Sequence, residues 1–278
     1  MISPYLALMK LRVVELLLVT TLPALFLAVD GIPPLRESLV TLICGTLAAG
    51  AANAFNMVIE SDIDKVMTRT KDRPIVNEEI SSTRALSFAF VIAALSLIGF
   101  WFFTNPLTTA LTASAIVFYV FVYTVGLKRR TPQNIVWGGI AGCMPVLIGW
   151  AAVTDTLAWP AIWFFLTIFF WTPPHFWALA IKYKDDYAAA GVPMLPVVAP
   201  IGVVARQMWF HTIAMIAVSL VTLYSAGLPI WTYPIAALLG AGFALQLRDP
   251  ASNANRIFNG SITYLSLYSI LLVAAVLI

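Results

Sequence analysis

The chain has 278 residues, of which 61% are hydrophobic and only 10% are charged, and its mean hydropathy is +0.91. Because soluble domains carry roughly a quarter charged residues, this composition excludes an ordinary water-soluble protein. The small net charge of +3 does not indicate a nucleic-acid-binding surface. Cys44 and Cys143 both lie in apolar runs, so we expect buried thiols and no disulfide framework.

Nine apolar segments follow one another along the chain, each close to the ~20 residues that a membrane-spanning helix needs. They run over approximately 13–29, 39–59, 85–103, 107–126, 133–153, 158–181, 207–226, 229–246 and 257–278. Turn signals lie between them, including Asp30-Gly31, Asn105-Pro106, Asp155, Gly227 and Asp249-Pro250. Since backbone polar groups have no water partner in hydrocarbon, we predict an all-α, polytopic membrane protein of about nine transmembrane helices. Residues 1–278 are expected to form a single domain.

Positive charges indicate the orientation of these segments. With a cytoplasmic N-terminus, every Lys and Arg except Arg36 falls on the cytoplasmic side, as the positive-inside rule requires. The first helix is expected to be retained, because no small-residue cleavage site follows it. We therefore expect a multi-pass protein of a bacterial or archaeal plasma membrane. The cytoplasmic loops at about 60–84 and 182–206 are the longest, and loops of that length are usually functional.

The first long loop opens with a set of oxygen-bearing side chains. On a helix that continues past residue 60, Asn56, Glu60 and Asp64 stand at i, i+4 and i+8, with Asn53 on the same face. Like charges at this spacing repel each other, so the arrangement requires a partner. Mg²⁺ is a suitable partner because it binds carboxylates together with substrate phosphates. The next cations either contact a phosphate ligand or belong to an ordinary solvated loop. They are Lys65, Arg69, Lys71 and Arg73.

The second long loop follows a segment with a different charge pattern. On a continuous helix, His175, Lys182 and Asp186 share one stripe, whereas the direction of Asp185 is unsettled. Lys182 either pairs with Asp186 or contacts a diphosphate. His175 is either a hydrogen-bonded core residue or a ligand contact. A further cationic stretch at 123–130, YTVGLKRR, closes the fourth segment on the same side, as a membrane anchor or as part of the site.

These segments resemble the aspartate-rich motifs of the UbiA-type intramembrane prenyltransferase superfamily. The first motif of that family is Asn-x-x-x-Asp-x-x-x-Asp, followed by Arg-Thr-x-x-Arg-Pro. The matching residues here are Asn56, Glu60, Asp64, Arg69-Thr70 and Arg73-Pro74. Glu60 keeps the carboxylate but lengthens the side chain by one methylene. Lys10-Leu11-Arg12 stands where the family tends to have Lys-Pro-Arg, which leaves Arg12 in place.

The second motif is similar to the haem-farnesylating branch of that family. His175 and Lys182 stand where other branches carry acids. The segments TPPHFWALAIKYKDDY, AGVPMLPVV and LKRRTPQNIVWGGIAG also resemble this branch. The resemblance implies a UbiA-like bundle that transfers the farnesyl group of farnesyl diphosphate to a vinyl group of haem B, giving haem O and diphosphate.

The resemblance also implies roles for individual residues. The implied Mg²⁺ ligands are Asn56, Glu60, Asp64, Asp185 and Asp186, with Lys182 in the catalytic set. The implied diphosphate contacts are Arg12, Arg69, Arg73, Tyr123 and Lys128. His175 and, second to it, His211 are the expected haem contacts. The implied partners are haem B, farnesyl diphosphate, the lipid bilayer, and a haem A synthase or terminal oxidase assembly.

Two other functions remain open from the sequence. A UbiA-type enzyme that prenylates an aromatic quinone precursor would share the metal site and differ in its acceptor pocket. A secondary transporter would carry ionisable residues near the membrane midplane. The acids of this chain instead cluster at one predicted membrane face, which disfavours a transporter.

Overall fold

The computed structural model describes residues 2–278, and every regular element in that range is a helix. In chain order the helices are α1 (Ile2–Met9), α2 (Leu11–Val29), α3 (Leu35–Ile59), α4 (Ser61–Val66), α5 (Ser82–Phe103), α6 (Pro106–Val117), α7 (Asn134–Thr154), α8 (Trp159–Lys182), α9 (Lys184–Ala189), α10 (Leu195–Val198), α11 (Ile201–Ser225), α12 (Thr232–Ala244) and α13 (Pro250–Leu277). A π-helix, Phe118–Leu127, continues α6, and a 3₁₀ turn, Leu245–Arg248, continues α12.

The predicted all-α membrane architecture is confirmed. Within residues 2–278, eight helices are long and apolar enough to cross a membrane. The remaining predicted segment, 229–246, is also helical but shorter. Its 13 α-helical residues and four 3₁₀ residues extend about 27 Å, slightly less than the ~30 Å hydrocarbon core.

The predicted turn signals mark the ends of the helices. Asp30 and Asp155 end α2 and α7 in the left-handed conformation, with φ of 46° and 52°. Asn105 and Asp249 begin α6 and α13, and each side chain accepts a hydrogen bond from the amide three residues on. These are the local interactions by which asparagine and aspartate terminate and initiate helices.

α7 and α8 are the most buried of the spans. α8 packs against α7, α11 and α13, while α2 packs against α7 and α13. Small residues permit the close contacts: a Cβ on Gly149 would lie 3.1 Å from the carbonyl oxygen of Thr21, and one on Gly139 would lie 2.9 Å from the Thr172 side chain. Such small residues at helix interfaces are typical of membrane proteins.

The outer surface of the bundle is apolar. Phe102 and Leu238 are 70% and 72% exposed, which would be costly in water but is natural in contact with lipid. Trp159 and Tyr224 are exposed at the ends of α8 and α11, where aromatic side chains favour the membrane interface.

The two long loops meet at one end of the bundle. An apolar cluster joins the first loop to the second through Ile63, Met67, Tyr187, Val192 and Met194. We call this group the interloop cluster. Ile135 at the start of α7 and Ala180 near the end of α8 complete it. The interloop cluster therefore fixes both loops over the same helix ends.

Candidate active site

Asn56, Glu60 and Asp64 lie on one buried face where α3 gives way to α4. α3 ends at Ile59, and Glu60 leaves the helical conformation, with φ −100° and ψ 13°. Hydrogen bonds from Glu60 N to Asn56 O and from Asp64 N to Glu60 O, both 2.9 Å, carry the i, i+4 spacing across this break. The predicted shared face is thus present, and each of the three residues is at most 2% exposed.

Both carboxylates on this face are paired with cations from distant segments. Lys128 Nζ lies 2.6 Å from Glu60 Oε2, and Arg73 forms an ion pair with Asp64. The pairs are needed because a buried carboxylate without a partner is strongly unfavourable. The structure therefore brings together four residues that the sequence placed in the site.

Lys10 is a third cation at this face. It lies between α1 and α2, and its ammonium group donates to Asn56 Oδ1 at 2.8 Å. Asn53 Nδ2 donates to the Met9 carbonyl at 2.9 Å, which fixes the chain next to Lys10. Burial, together with the nearby cations Arg73 and Lys128, lowers the pKa of Lys10 to about 7, although the carboxylates of Glu60 and Asp64 oppose the shift. Arg12, which the sequence favoured, is exposed in the first turn of α2.

The π-helix Phe118–Leu127 presents a fourth segment to the same face. Thr124 Oγ1 donates to the Tyr119 carbonyl at 2.9 Å and accepts from Asn56 Nδ2 at 3.2 Å. Lys128 follows directly as the C-cap. In a π-helix each amide bonds five residues back, so side chains are presented at angles that an α-helix would not give. Regions of π-helix are rare and frequently occur at functional sites.

A third ion pair lies at the rim of this region. Arg129 donates two hydrogen bonds of 2.7 Å to Asp62, and these lower the pKa of the Asp62 carboxyl. The two side chains are 39% and 63% exposed, whereas Glu60 is almost fully buried. They border an open cavity of about 400 Å³. This solvated pair is therefore distinct from the buried pairs beside it.

His175, Lys182 and Asp186, which the sequence places on one stripe, make separate contacts in the structure. α8 ends at Lys182, and Tyr183 adopts a non-helical conformation (φ −109°, ψ 34°) before α9 begins. Lys182 is exposed, with its Nζ 5.3 Å from the centroid of the Tyr183 ring. Asp185 is also exposed. Hydrogen bonds from Tyr183 N to Leu179 O and from Tyr187 N to Tyr183 O, both 3.1 Å, nevertheless carry the helical spacing across this residue.

Asp186 instead links the two long loops. Its Oδ2 accepts a hydrogen bond from the Thr68 hydroxyl at 2.6 Å and one from the Arg69 amide at 3.3 Å. The hydrogen bond from Thr68 is the main cause of a lowered pKa at Asp186. The Arg69 guanidinium carbon lies 5.8 Å from the centroid of the Tyr183 ring. Asp186 therefore connects the second motif to the loop that follows the first.

His175 lies deeper in the bundle, between two aromatic rings. Trp171 and Phe258 stack on its faces, with centroid distances of 4.3 and 4.5 Å. Its Nδ1 is 2.7 Å from Ser261 Oγ on α13. His211 lies on α11: its ring meets that of Trp177 on α8 at right angles, and its Nδ1 is 2.8 Å from the Gln207 carbonyl oxygen.

The sequence matches a known protein family over most of its length. The model of the UbiA prenyltransferase family matches residues 17–275. The chain belongs to this family. Asn56, Glu60, Asp64 and Asp186 all lie within the matched residues.

Relatives within the UbiA family cover nearly the whole chain. A protoheme IX farnesyltransferase of Frankia casuarinae is 52% identical over 285 residues, covering 99% of this chain and 98% of the relative. A protoheme IX farnesyltransferase of Streptomyces avermitilis is 49% identical over 278 residues, covering 96% and 91%. This UbiA chain is therefore a close full-length relative of proteins with that name.

Solved structures support the UbiA fold. A structure described as digeranylgeranylglyceryl phosphate synthase superposes with a TM-score of 0.81 at 15% identity, covering 99% of this chain and 98% of the other. A UbiA homolog from Archaeoglobus fulgidus, bound to DMAPP and Mg²⁺, superposes with a TM-score of 0.72 at 15% identity, covering 97% and 99%. At this identity the likeness establishes the fold alone.

The residues of this UbiA site fit a magnesium ion. Glu60 Oε1 is buried and has no hydrogen-bond partner within the part of the chain that the structure describes, although Oε2 is paired. The side chains of Asn56, Glu60 and Asp64 all offer oxygen, the donor that Mg²⁺ prefers. No group of three or more His, Cys, Asp or Glu among residues 2–278 could hold a metal ion. The protein is thus suited to supply part of a shell that substrate oxygens complete.

Gly138 on α7 makes room for the Tyr123 ring, and we predict that Gly138→Ala slows prenyl transfer. A Cβ at this position would lie well inside van der Waals contact with the ring, which must then move. We expect kcat/KM to fall roughly tenfold to a hundredfold, because small displacements in a site have effects of this size. Gly142→Ala on the same helix is the control, since its Cβ meets nothing within 4 Å. Equal activity of the two variants would contradict the prediction.

Proposed function

We propose that this chain transfers the farnesyl group of farnesyl diphosphate to a vinyl group of haem B, giving haem O and diphosphate. The observation that supports this most directly is the nearly full-length identity to proteins named protoheme IX farnesyltransferase. The buried acidic face with its three cations supports the same reaction, because a prenyl diphosphate requires both a divalent metal and positive charge.

The acidic residues are the proposed metal side of the site. Asn56, Glu60 and Asp64 hold Mg²⁺, with Asp186 contributing from the second loop. When bound, Mg²⁺ neutralises the diphosphate and stabilises it as a leaving group. Glu60 Oε1, which has no hydrogen-bond partner within residues 2–278, is the atom most directly available to a metal.

The cations are the proposed diphosphate side of the site. Lys10, Arg73 and Lys128 lie partly buried at the acidic face, each bonded to one of its oxygens. If Mg²⁺ were held by Asn56, Glu60 and Asp64, the cations would be free to donate to the diphosphate. Arg69 and Arg12, which are both exposed, are the further cations that we propose for diphosphate binding. Lysine and arginine at this distance stabilise the negative charge that grows as the C–O bond breaks.

The aromatic and apolar residues are proposed to surround the carbon atoms that react. Breaking the C–O bond leaves positive charge on the allylic carbon of the farnesyl group, and the terminal vinyl carbon of haem forms the new C–C bond. Water then adds to the vinyl carbon next to the porphyrin ring and loses a proton, which gives a hydroxyethylfarnesyl group. Tyr119 and Tyr123, with ring centroids 5.4 Å apart, offer aromatic faces to a cation. The interloop cluster excludes water until the C–C bond has formed.

His175 is the proposed haem contact, and we predict that His175→Ala weakens haem binding. The affinity for haem B is expected to fall roughly tenfold to a hundredfold, the usual effect of losing a buried polar contact of ~1–3 kcal/mol. The affinity for farnesyl diphosphate should not change, because the acidic face is untouched. Titrations of both ligands measure this, with His211→Ala as the comparison. An unchanged haem spectrum and unchanged turnover in His175→Ala would exclude this role.

The proposed function is tested directly with the purified protein in detergent. Haem B, farnesyl diphosphate and Mg²⁺ are incubated with the protein, and products are identified by chromatography and mass spectrometry. Haem O is the expected product, and chelation of Mg²⁺ should abolish its formation until the ion is restored. Prenylation of a hydroxybenzoate or naphthoate without any conversion of haem would overturn the proposal in favour of a quinone pathway.

The membrane orientation is part of the same proposal. We place the N-terminus, the acidic face and both long loops on the cytoplasmic side of a bacterial plasma membrane, within one domain that spans residues 1–278. The convergence of Lys10, Arg73 and Lys128 supports this orientation, because segments rich in Lys and Arg favour the cytoplasmic side. Haem and farnesyl diphosphate are the proposed substrates.

A further inference from the structure

Ser261 on α13 contacts the His175 side chain and the residue that stacks on it. Its hydroxyl oxygen is 2.7 Å from His175 Nδ1, and its carbonyl accepts from Trp171 Nε1 at 2.8 Å. Ser261 is fully buried, and His175 is 4% exposed. Two independent bonds from one residue therefore fix both the imidazole and the indole that stacks on it.

The hydrogen bonds of Ser261 determine which nitrogen of His175 carries the proton. Ser261 Oγ also lies 2.6 Å from the Phe258 carbonyl oxygen, which can only accept. The single hydroxyl proton lies between these two oxygens, because they would otherwise repel each other at this distance. Ser261 Oγ then has only lone pairs to offer His175, so Nδ1 must be the donor. The Nε2 atom of a neutral His175 is left with its lone pair exposed.

This arrangement is the one that metal-binding histidines use. Such a histidine donates one ring N–H to a neighbouring acceptor, which fixes its tautomer and orientation, and binds the metal through the other nitrogen. His175 Nε2 makes no hydrogen bond to any residue from 2 to 278. The aromatic rings of Trp171 and Phe258, which stack on the two faces of the imidazole, restrict its rotation about the Cβ–Cγ bond.

We propose that Ser261 is a positioning residue that holds His175 with its Nε2 lone pair directed to the iron of the haem substrate. This inference rests on the proposed function, since haem is the substrate only if that function is correct. Its content is separate, because it concerns how the acceptor is held and not which bond is made. The haem iron would thereby be anchored beside α8 and α13.

Ser261→Ala tests the proposal, since it removes the hydroxyl and keeps the carbonyl that holds Trp171. We expect the affinity for ferric haem B to fall about tenfold, the usual cost of removing the residue that orients a metal-binding histidine. The absorption bands that report axial ligation should change as they do in His175→Ala. Affinity for farnesyl diphosphate should stay the same. Ser261→Thr, which retains a hydroxyl, should keep most of the haem affinity and the wild-type spectrum.

Two further variants separate positioning from a general structural effect. Ser269→Ala is the matched control: Ser269 is a buried serine of the same helix whose hydroxyl has no partner within the described residues. It should bind haem like the wild type. In a His175→Ala background, Ser261→Ala should cause no further loss, because its effect passes through His175. Thermal unfolding in detergent checks that each variant is folded, and Ser261→Cys replaces Ser261→Ala if the latter is not.

The outcomes distinguish a failure of the role of Ser261 from a failure of the proposed function. A wild-type haem spectrum and affinity in Ser261→Ala would overturn the inference, as would an equal loss with and without His175. A wild-type protein that converts haem B to haem O while Ser261→Ala behaves normally would leave the proposed function intact. A wild-type protein that forms no haem O would overturn the proposed function, whatever the behaviour of Ser261.

Discussion

Replacing Asp64 with asparagine is expected to lower kcat by roughly 10²–10³-fold, the effect of removing one electrostatic contact from a preorganised site. The substitution keeps the shape of the side chain and removes the charge that pairs with Arg73 and that we propose as a Mg²⁺ ligand. Glu60→Gln should have an effect of the same size, because Glu60 offers the buried oxygen that has no partner in the described chain. Initial rates of haem O formation at saturating Mg²⁺ measure both.

Asp62→Asn is the control for these two variants. Asp62 lies on the same short helix as Asp64 but is 63% exposed and pairs with Arg129 at the rim. Its activity should remain within about twofold of the wild type, since exposed ion pairs contribute little. Activity retained in Asp64→Asn, or lost equally in Asp62→Asn, would reject the assignment of the buried face as the metal site.

Lys128→Gln is expected to lower kcat/KM for farnesyl diphosphate by roughly 10²-fold, through loss of a cation that stabilises the departing diphosphate. It should also destabilise the protein by about 3–5 kcal/mol, because Glu60 is left as a buried charge without its partner. Adding Glu60→Gln removes that charge, so the double variant should regain stability without regaining activity. Thermal unfolding and steady-state kinetics on the same samples separate the two effects.

The neighbouring Arg129→Gln provides the comparison for Lys128→Gln. Arg129 carries the same charge one residue later, but its partner Asp62 is solvated. Its kinetics and unfolding temperature should both be close to those of the wild type. A loss in Arg129→Gln as large as that in Lys128→Gln would show that the general charge of this segment matters, and not the buried pair.

The fold was largely predictable because its determinants are local. Apolar length and turn residues such as Asp30, Asn105 and Asp155 act within a few residues of themselves, so their effects can be inferred from sequence. The 3₁₀ ending of α12 was not predicted. It ends the α-helical part of the predicted segment 229–246 at Ala244, although neither Ala244 nor Leu245 is a glycine or proline.

The candidate site was predictable only in part. The face of Asn56, Glu60 and Asp64 follows from i, i+4 spacing, and the break at Glu60 leaves that spacing intact. The stripe of His175, Lys182 and Asp186 rests on the same spacing, which hydrogen bonds across Tyr183 also preserve. Its three side chains nevertheless contact different partners, which the spacing does not predict.

The sequence did not predict which residues the site residues contact. Lys10 meets Asn56 across 46 positions of sequence, and His175 meets Ser261 across 86. Such contacts depend on how the helices pack, and a single sequence does not specify that packing. Lys10 nevertheless left one signal, since it opens the Lys10-Leu11-Arg12 segment that resembles a family motif.

The π-helix has a consequence for how this chain can diverge. A chain one residue shorter between Pro106 and Lys128 could return to α-helical pairing, and each residue of register turns a helix by about 100°. Lys128 would then leave Glu60 and point toward a different neighbour. The number of residues in this span is therefore under tighter constraint than their identity. Apolar side chains facing lipid can be exchanged for one another, whereas a single deletion would change which charge faces the site.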